Sequence, residues 1–193
     1  MQNIIFKPWI PDLYNSNHAK YGKLLLLGES HIGNEEIKNN SDFTINVIKE
    51  VIDGNRCRDY RHFTFLGNLI TPDDRAITFK NCAYANLIQD VFSDARVAPS
   101  SGQFATIQPA FWKILNMTKP EKVIITSSRI WHNWMPDDDS RSRLIGEVRA
   151  NDKHSTIWEY QYGSGSCEAI GIHHPSAMKF YSWRPLVQKF LES

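Results

Sequence analysis

The chain has 193 residues, 41% hydrophobic and 22% charged, with a formal charge of +1. That is the size and composition of one globular domain, and near-neutrality means that any surface for a polyanion has to be a local patch. No apolar run reaches the roughly 18 residues of a membrane helix, and the first residues lack the basic-then-apolar layout of a signal peptide. The expectation is therefore a single domain over residues 1–193, cytoplasmic and without a membrane partner. Cys57, Cys82 and Cys167 are odd in number and far apart. This favours reduced structural thiols over a disulfide framework, a zinc ribbon or an iron–sulfur cluster.

Residues 1–22 carry Phe6, Pro8, Trp9, Pro11 and Tyr14 without periodicity and read as an irregular arm. Four leucines, Leu24 to Leu27, then predict a short strand buried on both faces. Directly after Gly28 come a carboxylate, a hydroxyl and an imidazole (Glu29, Ser30, His31), at the strand end where open α/β sheets build their sites. Ser41 is expected to cap a helix with Phe43, Val47, Ile48, Val51 and Ile52 on one face and Gly54 at its end. Residues 56–63 interleave arginines with aromatics and read as an arginine-bearing helix surface, with phosphate contact as the alternative.

Residues 71–74 open one or two helical turns, and 81–87 read as a buried strand ending at Asn86. The Ser-, Pro- and Gly-rich stretch 98–103 is expected to be a mobile loop. Helical spacing runs over residues 104–117 and stops at Lys119-Pro120, a third buried strand covers 123–126, and Ser127-Ser128-Arg129 lead into a helix through Trp131 and Trp134. Asp137-Asp138-Asp139 with Arg141, Arg143 and Arg149 read as a solvated charged insertion, a divalent-ion site being the alternative. Residues 156–161 and 168–172 flank a Gly-Ser turn as a hairpin whose second strand ends in His173-His174-Pro175-Ser176. A last helix covers 183–191. This alternation predicts a parallel sheet covered on both faces.

The strand ends supply Gly28-Glu29-Ser30-His31, then Asn86, then Ser127-Ser128, then His174-Pro175-Ser176. In order and placement this resembles the uracil-DNA glycosylase-like superfamily, whose members share a buried strand ending in a Gly-acid or Gly-polar motif, an Asn after the second strand and a late His-Pro-Ser. The resemblance spans residues 23–190. It implies a three-layer α/β/α fold around a central, mainly parallel four-stranded sheet. It also implies a monofunctional glycosylase that releases a flipped-out pyrimidine from DNA and leaves an abasic site, with no metal, no organic cofactor and no obligate protein partner.

On this resemblance His174 serves the departing base, and Glu29 or His31 activates water. Gly28, Ser30, His31, Phe43 and Asn86 surround the base, Asn86 reading its Watson–Crick edge. Ser127, Ser128, Ser176, Met178 and Lys179 contact DNA, the segment 178–181 filling the gap left by the flipped nucleotide. Phe43 reads equally as the first core residue of its helix. In uracil-specific members the first motif carries an Asp followed by Pro-Tyr, the Asp orienting water and the Tyr walling off the pyrimidine 5-position. Here the chain reads Ser30-His31-Ile32. The resemblance thus implies a 5-substituted base, such as hydroxymethylcytosine or its glucosylated form, rather than plain uracil. That chemistry suits defence against modified phage DNA in a bacterial cytosol or nucleoid. Uracil excision in repair is one alternative. Others are an acyl-hydrolase with Ser30 as nucleophile and His174 as base, and a non-catalytic nucleic-acid- or nucleotide-binding module.

Overall fold

The leucine run forms strand β1 (Leu24–Gly28), and all five of its residues are buried. Leu24 and Leu26 enter one hydrophobic cluster while Leu25 and Leu27 enter another. This is why the strand shows no polar alternation: successive side chains point to opposite faces, and both faces are covered. The computed structural model describes residues 4–16, 20–54, 61–72, 74–94, 97–137, 139–163, 165–175 and 180–193. After β1 come β2 (His31–Ile32), α1 (Phe43–Ile52), α2 (Arg61–Ile70), α3 (Arg75–Asn81), β3 (Ala83–Asn86), β4 (Val91–Phe92), α4 (Ser101–Phe104) and α5 (Ile107–Thr118). They are followed by β5 (Lys122–Ile125), α6 (Ser128–Asn133), β6 (Ser142–Ala150), β7 (Lys153–Tyr162), β8 (Gly165–Gly171) and α7 (Arg184–Glu192).

The fold is α/β, with a mainly parallel central sheet. Among the described residues it has six strands where four were expected, in the order β3-β1-β5-β8-β7-β6. The first four are parallel, whereas β7 and β6 continue antiparallel. The hairpin expected around the Gly-Ser turn is β7-β8. The two strands beyond four are β7, the first strand of that hairpin, and β6, within the stretch read as a charged insertion. Arg143 and Arg149 lie on this edge strand and pair with Glu159 and Glu147. Asp138 lies outside the described residues, among which no group of three His, Cys, Asp or Glu is placed to hold a metal ion.

One face of the sheet carries Phe111, Ile114 and Leu115 of α5 with Ile130 and Trp131 of α6. The other carries apolar residues of α1, α2, α3 and α7, including Val47, Leu66, Phe79 and Phe190. Helix α1 is preceded by Asp42 rather than capped by Ser41, and Gly54 follows its end with φ +78°, a conformation that costs glycine little. The expected mobile loop is instead ordered by a capping box: Ser100 accepts from the Gln103 amide while Gln103 returns a bond to Ser100, which starts α4. The arm is tied at Trp9, which exchanges two backbone hydrogen bonds with Tyr84 of β3. Gln89 holds it too, accepting from the amides of Ile5 and Phe6 and donating to the Asn86 carbonyl. Cys82 and Cys167 are buried free thiols, and Cys57 lies outside the described residues.

Candidate active site

Parallel strands in register end together. Gly28 of β1 sits opposite Asn86 of β3, Leu27 opposite Ile125 of β5, and Ile125 opposite Gly171 of β8. Backbone bonds carry the order past the strands: Leu87 and Ile88 donate to Gly28 and Glu29, Thr126 to Leu27, and Ile172 to Ile125. The four sequence-predicted strand ends thus arrive together at the carboxyl-terminal end of the parallel strands. There they border a cavity of about 380 Å³ lined by Glu29, Ser30, His31, Phe43, Asn86 and His174. A second, more polar compartment of about 310 Å³ shares Glu29, Ser30, Ile32 and His174 with it and adds Ser127, Ser128, Arg129 and Asp94. Ile32, 53% exposed, stands on the border of both.

Glu29 is fixed from the neighbouring strand end. Its carboxylate accepts from Nε and Nη2 of Arg129 and, at 2.9 Å, from the Ser127 hydroxyl. The Arg129 guanidinium is held more firmly in its charged form by this fork. Ser127 is buried, and its Oγ also accepts from the Ile130 amide at the start of α6. It therefore serves the carboxylate and the helix, while Ser128 and Arg129 line the outer compartment.

The inner compartment is walled by rings. His31 is 5% exposed, lies edge-on to Phe6 and Phe43 at 4.6 and 5.0 Å, and bonds Thr44 Oγ1 through Nε2 at 2.9 Å. Burial lowers its pKa to about 4. Phe43 opens α1 and lines the cavity, so it is both a helix residue and a wall. His62 and Phe63, from the first turn of α2, face the same space. Burial first, and then His174 and His31, bring the His62 pKa down to about 3. Its ring centroid is 5.0 Å from that of His174. The His174 pKa is lowered by burial, with the Glu29 carboxylate pulling the other way and Arg129 adding to the lowering. The chamber therefore presents neutral imidazoles near pH 7.

Tyr84 completes the wall. It is 2% exposed, packed edge-on against Phe63 at 5.1 Å, and its hydroxyl donates to Asn86 Oδ1 at 2.9 Å while lying 3.3 Å from His62 Nε2. A Cβ at Gly28 would overlap both that hydroxyl and Asn86 Oδ1.

Glu29, Ser30, His31, Phe43, Asn86 and His174 are thus brought together with Gly28 beneath them. Ser176, Met178 and Lys179 lie outside the described residues. Of the expected wedge, Phe180 is buried core, while Tyr181 is exposed and packs on Phe65 and Arg184. Sequence reasoning missed His62, Phe63, Tyr84 and Arg129. Tyr84 had a signal, since two residues before Asn86 on a strand means the same face. His62 had none, because it belongs to a stretch read as helix surface. In comparisons with known proteins, no family model and no curated protein matches this chain.

Proposed function

We propose that the protein is a monofunctional DNA glycosylase that hydrolyses the N-glycosidic bond of a flipped-out, 5-substituted pyrimidine, on a fold of the uracil-DNA glycosylase-like kind. The observation that carries this reading is the two-part cleft. An aromatic-walled chamber of about 380 Å³, with Asn86 in its lining, lies beside Glu29 and His174 and borders a polar compartment lined by Ser128 and Arg129. Such a division suits a base inside, a sugar at the junction and a phosphate outside.

The reaction develops positive charge on the sugar and negative charge on the departing base. Glu29, held at the junction by Arg129 and Ser127, is the group to orient water and favour the cationic sugar. His31 is less suited, being buried with Nε2 engaged on Thr44. A neutral His174 donates an N–H to the base oxygen as charge builds there. No tyrosine follows Ser30-His31, and exposed Ile32 leaves the neighbouring edge open for a 5-substituent.

The test is base release from oligonucleotides containing uracil, 5-hydroxymethylcytosine or its glucosylated form, with alkaline cleavage revealing abasic sites. The expected outcome is release confined to the substituted bases, lowered about 10²-fold or more by Glu29→Gln and by His174→Ala. DNA retained without abasic product would mean a binding module, and ester hydrolysis abolished by Ser30→Ala would mean an acyl-hydrolase.

A further inference from the structure

The Asn86 amide has a donor half and an acceptor half with which to read a base edge, but in the folded protein the acceptor half is taken. Its Oδ1 accepts from the Tyr84 hydroxyl at 2.9 Å, and the hydrogen of Gly28 that a side chain would replace points at both of these oxygens, the Tyr84 hydroxyl and Asn86 Oδ1. An aliphatic C–H aimed at an oxygen is attractive, whereas aimed at an NH₂ group it sets hydrogen against hydrogen. Gly28 therefore selects the amide orientation and leaves Nδ2 as the part of Asn86 offered to the cavity. Nδ2 has no hydrogen-bond partner among the described residues.

The choice propagates. A Tyr84 hydroxyl that donates to Asn86 has its lone pairs left for His62, 3.3 Å away, so His62 carries its proton on Nε2. A neutral His62 then has a bare Nδ1, which makes no hydrogen bond among the described residues although the ring lines the cavity. The chamber wall thus presents one donor, Asn86 Nδ2, and one acceptor, His62 Nδ1. Reversing the chain would flip the amide, move the His62 proton and exchange the two roles, which Gly28 opposes.

We infer that the relay from His62 through Tyr84 to Asn86 is a specificity device, selecting a cytosine-type base edge over a uracil-type edge. This inference rests on the reading of the chamber as a pyrimidine site. Cytosine offers an acceptor at N3 and a donor at its 4-amino group, the complement of Nδ2 and Nδ1. Uracil offers a donor at N3 and an acceptor at O4, so both positions would meet like groups. Tyr84 is a positioning residue in this scheme, acting through the orientation of Asn86 and the tautomer of His62.

Release of 5-hydroxymethylcytosine and 5-hydroxymethyluracil from single-stranded oligonucleotides tests this, because strand pairing does not enter. The wild-type protein should favour the cytosine form by about tenfold to a hundredfold. Tyr84→Phe keeps the ring packing but frees the amide, and should bring the ratio towards one even where some rate is retained. Equal release by the wild type, or preference for the uracil form, overturns the relay and leaves the glycosylase reading standing. If neither base is released, the glycosylase reading fails and calorimetry with the two free bases decides. Tighter binding of the cytosine form upholds the relay, and equal binding or none overturns it.

Discussion

A methyl group added at Gly28 would have nowhere to go, because the Tyr84 hydroxyl and the Asn86 side-chain carbonyl already occupy its position. Neither oxygen is at the tip of a loose side chain: Tyr84 is clamped by Phe63 and Phe79, and Asn86 sits on β3 beside β1. Gly28→Ala should therefore cost about 1–3 kcal/mol of stability, as overpacking does. Base release should fall by more than the loss of folded protein explains, because both displaced groups face the chamber. Thermal melting beside single-turnover release separates the two effects. A control substitution, Gly102→Ala, where the added methyl meets only Ser100 Oγ at 3.9 Å, should lower neither. In the sequence Gly28 reads as the exit of the leucine strand, and it is the last residue of β1. Its stronger role, leaving room for two oxygens from the next strand, needed the register of β1 on β3, which no local pattern encodes.

At the scale of elements, α4 is four residues long and could not persist on propensity alone. It persists because Ser100 and Gln103 satisfy each other's backbone amides, and because the Gln103 side-chain amide also donates to Asp90, itself paired with Lys38. Ser100→Ala should cost about 1 kcal/mol, read as a lower urea midpoint with an unchanged slope. An unchanged midpoint would mean that the Asp90 bond suffices to hold the turn. The box was present in the sequence as Ser-x-x-Gln, but the surrounding Pro, Ser and Gly masked it. Continuous apolar runs were legible as β1 and β5, and helical spacing as α1 and α5, because burial on a fixed face leaves a period. Strand β6 left none. Of its nine residues only Val148 is buried, so its charges are those of an edge strand, and the pairing that makes it a strand is supplied by β7.

For the whole molecule, the buried His31 and the half-buried His62 set the response to acid. His31 and His62 have pKa values of about 4 and about 3 in the folded protein, against 6.5 for an unperturbed histidine, and burial is the leading cause for both. Well above pH 6.5 neither the folded nor the unfolded chain carries their protons, so the two histidines contribute no pH dependence there. Below it the unfolded chain takes up protons that the folded chain refuses, so stability falls as pH drops from about 6.5 towards 4, on the order of 2–3 kcal/mol for His31 alone. Carboxylates act lower. Asp139, held down to about 2 by Arg141, contributes stability that is present above its unfolded value of 3.8 and is lost as pH falls through the folded one. Urea unfolding at about pH 7.5, 6, 5 and 4.5 should therefore show a decline that precedes carboxylate titration. His31→Asn, though less stable at neutral pH through loss of its ring contacts and its Thr44 bond, should decline less steeply over that range. A variant as steep as the wild type would place the acid sensitivity elsewhere and remove His31 from the account.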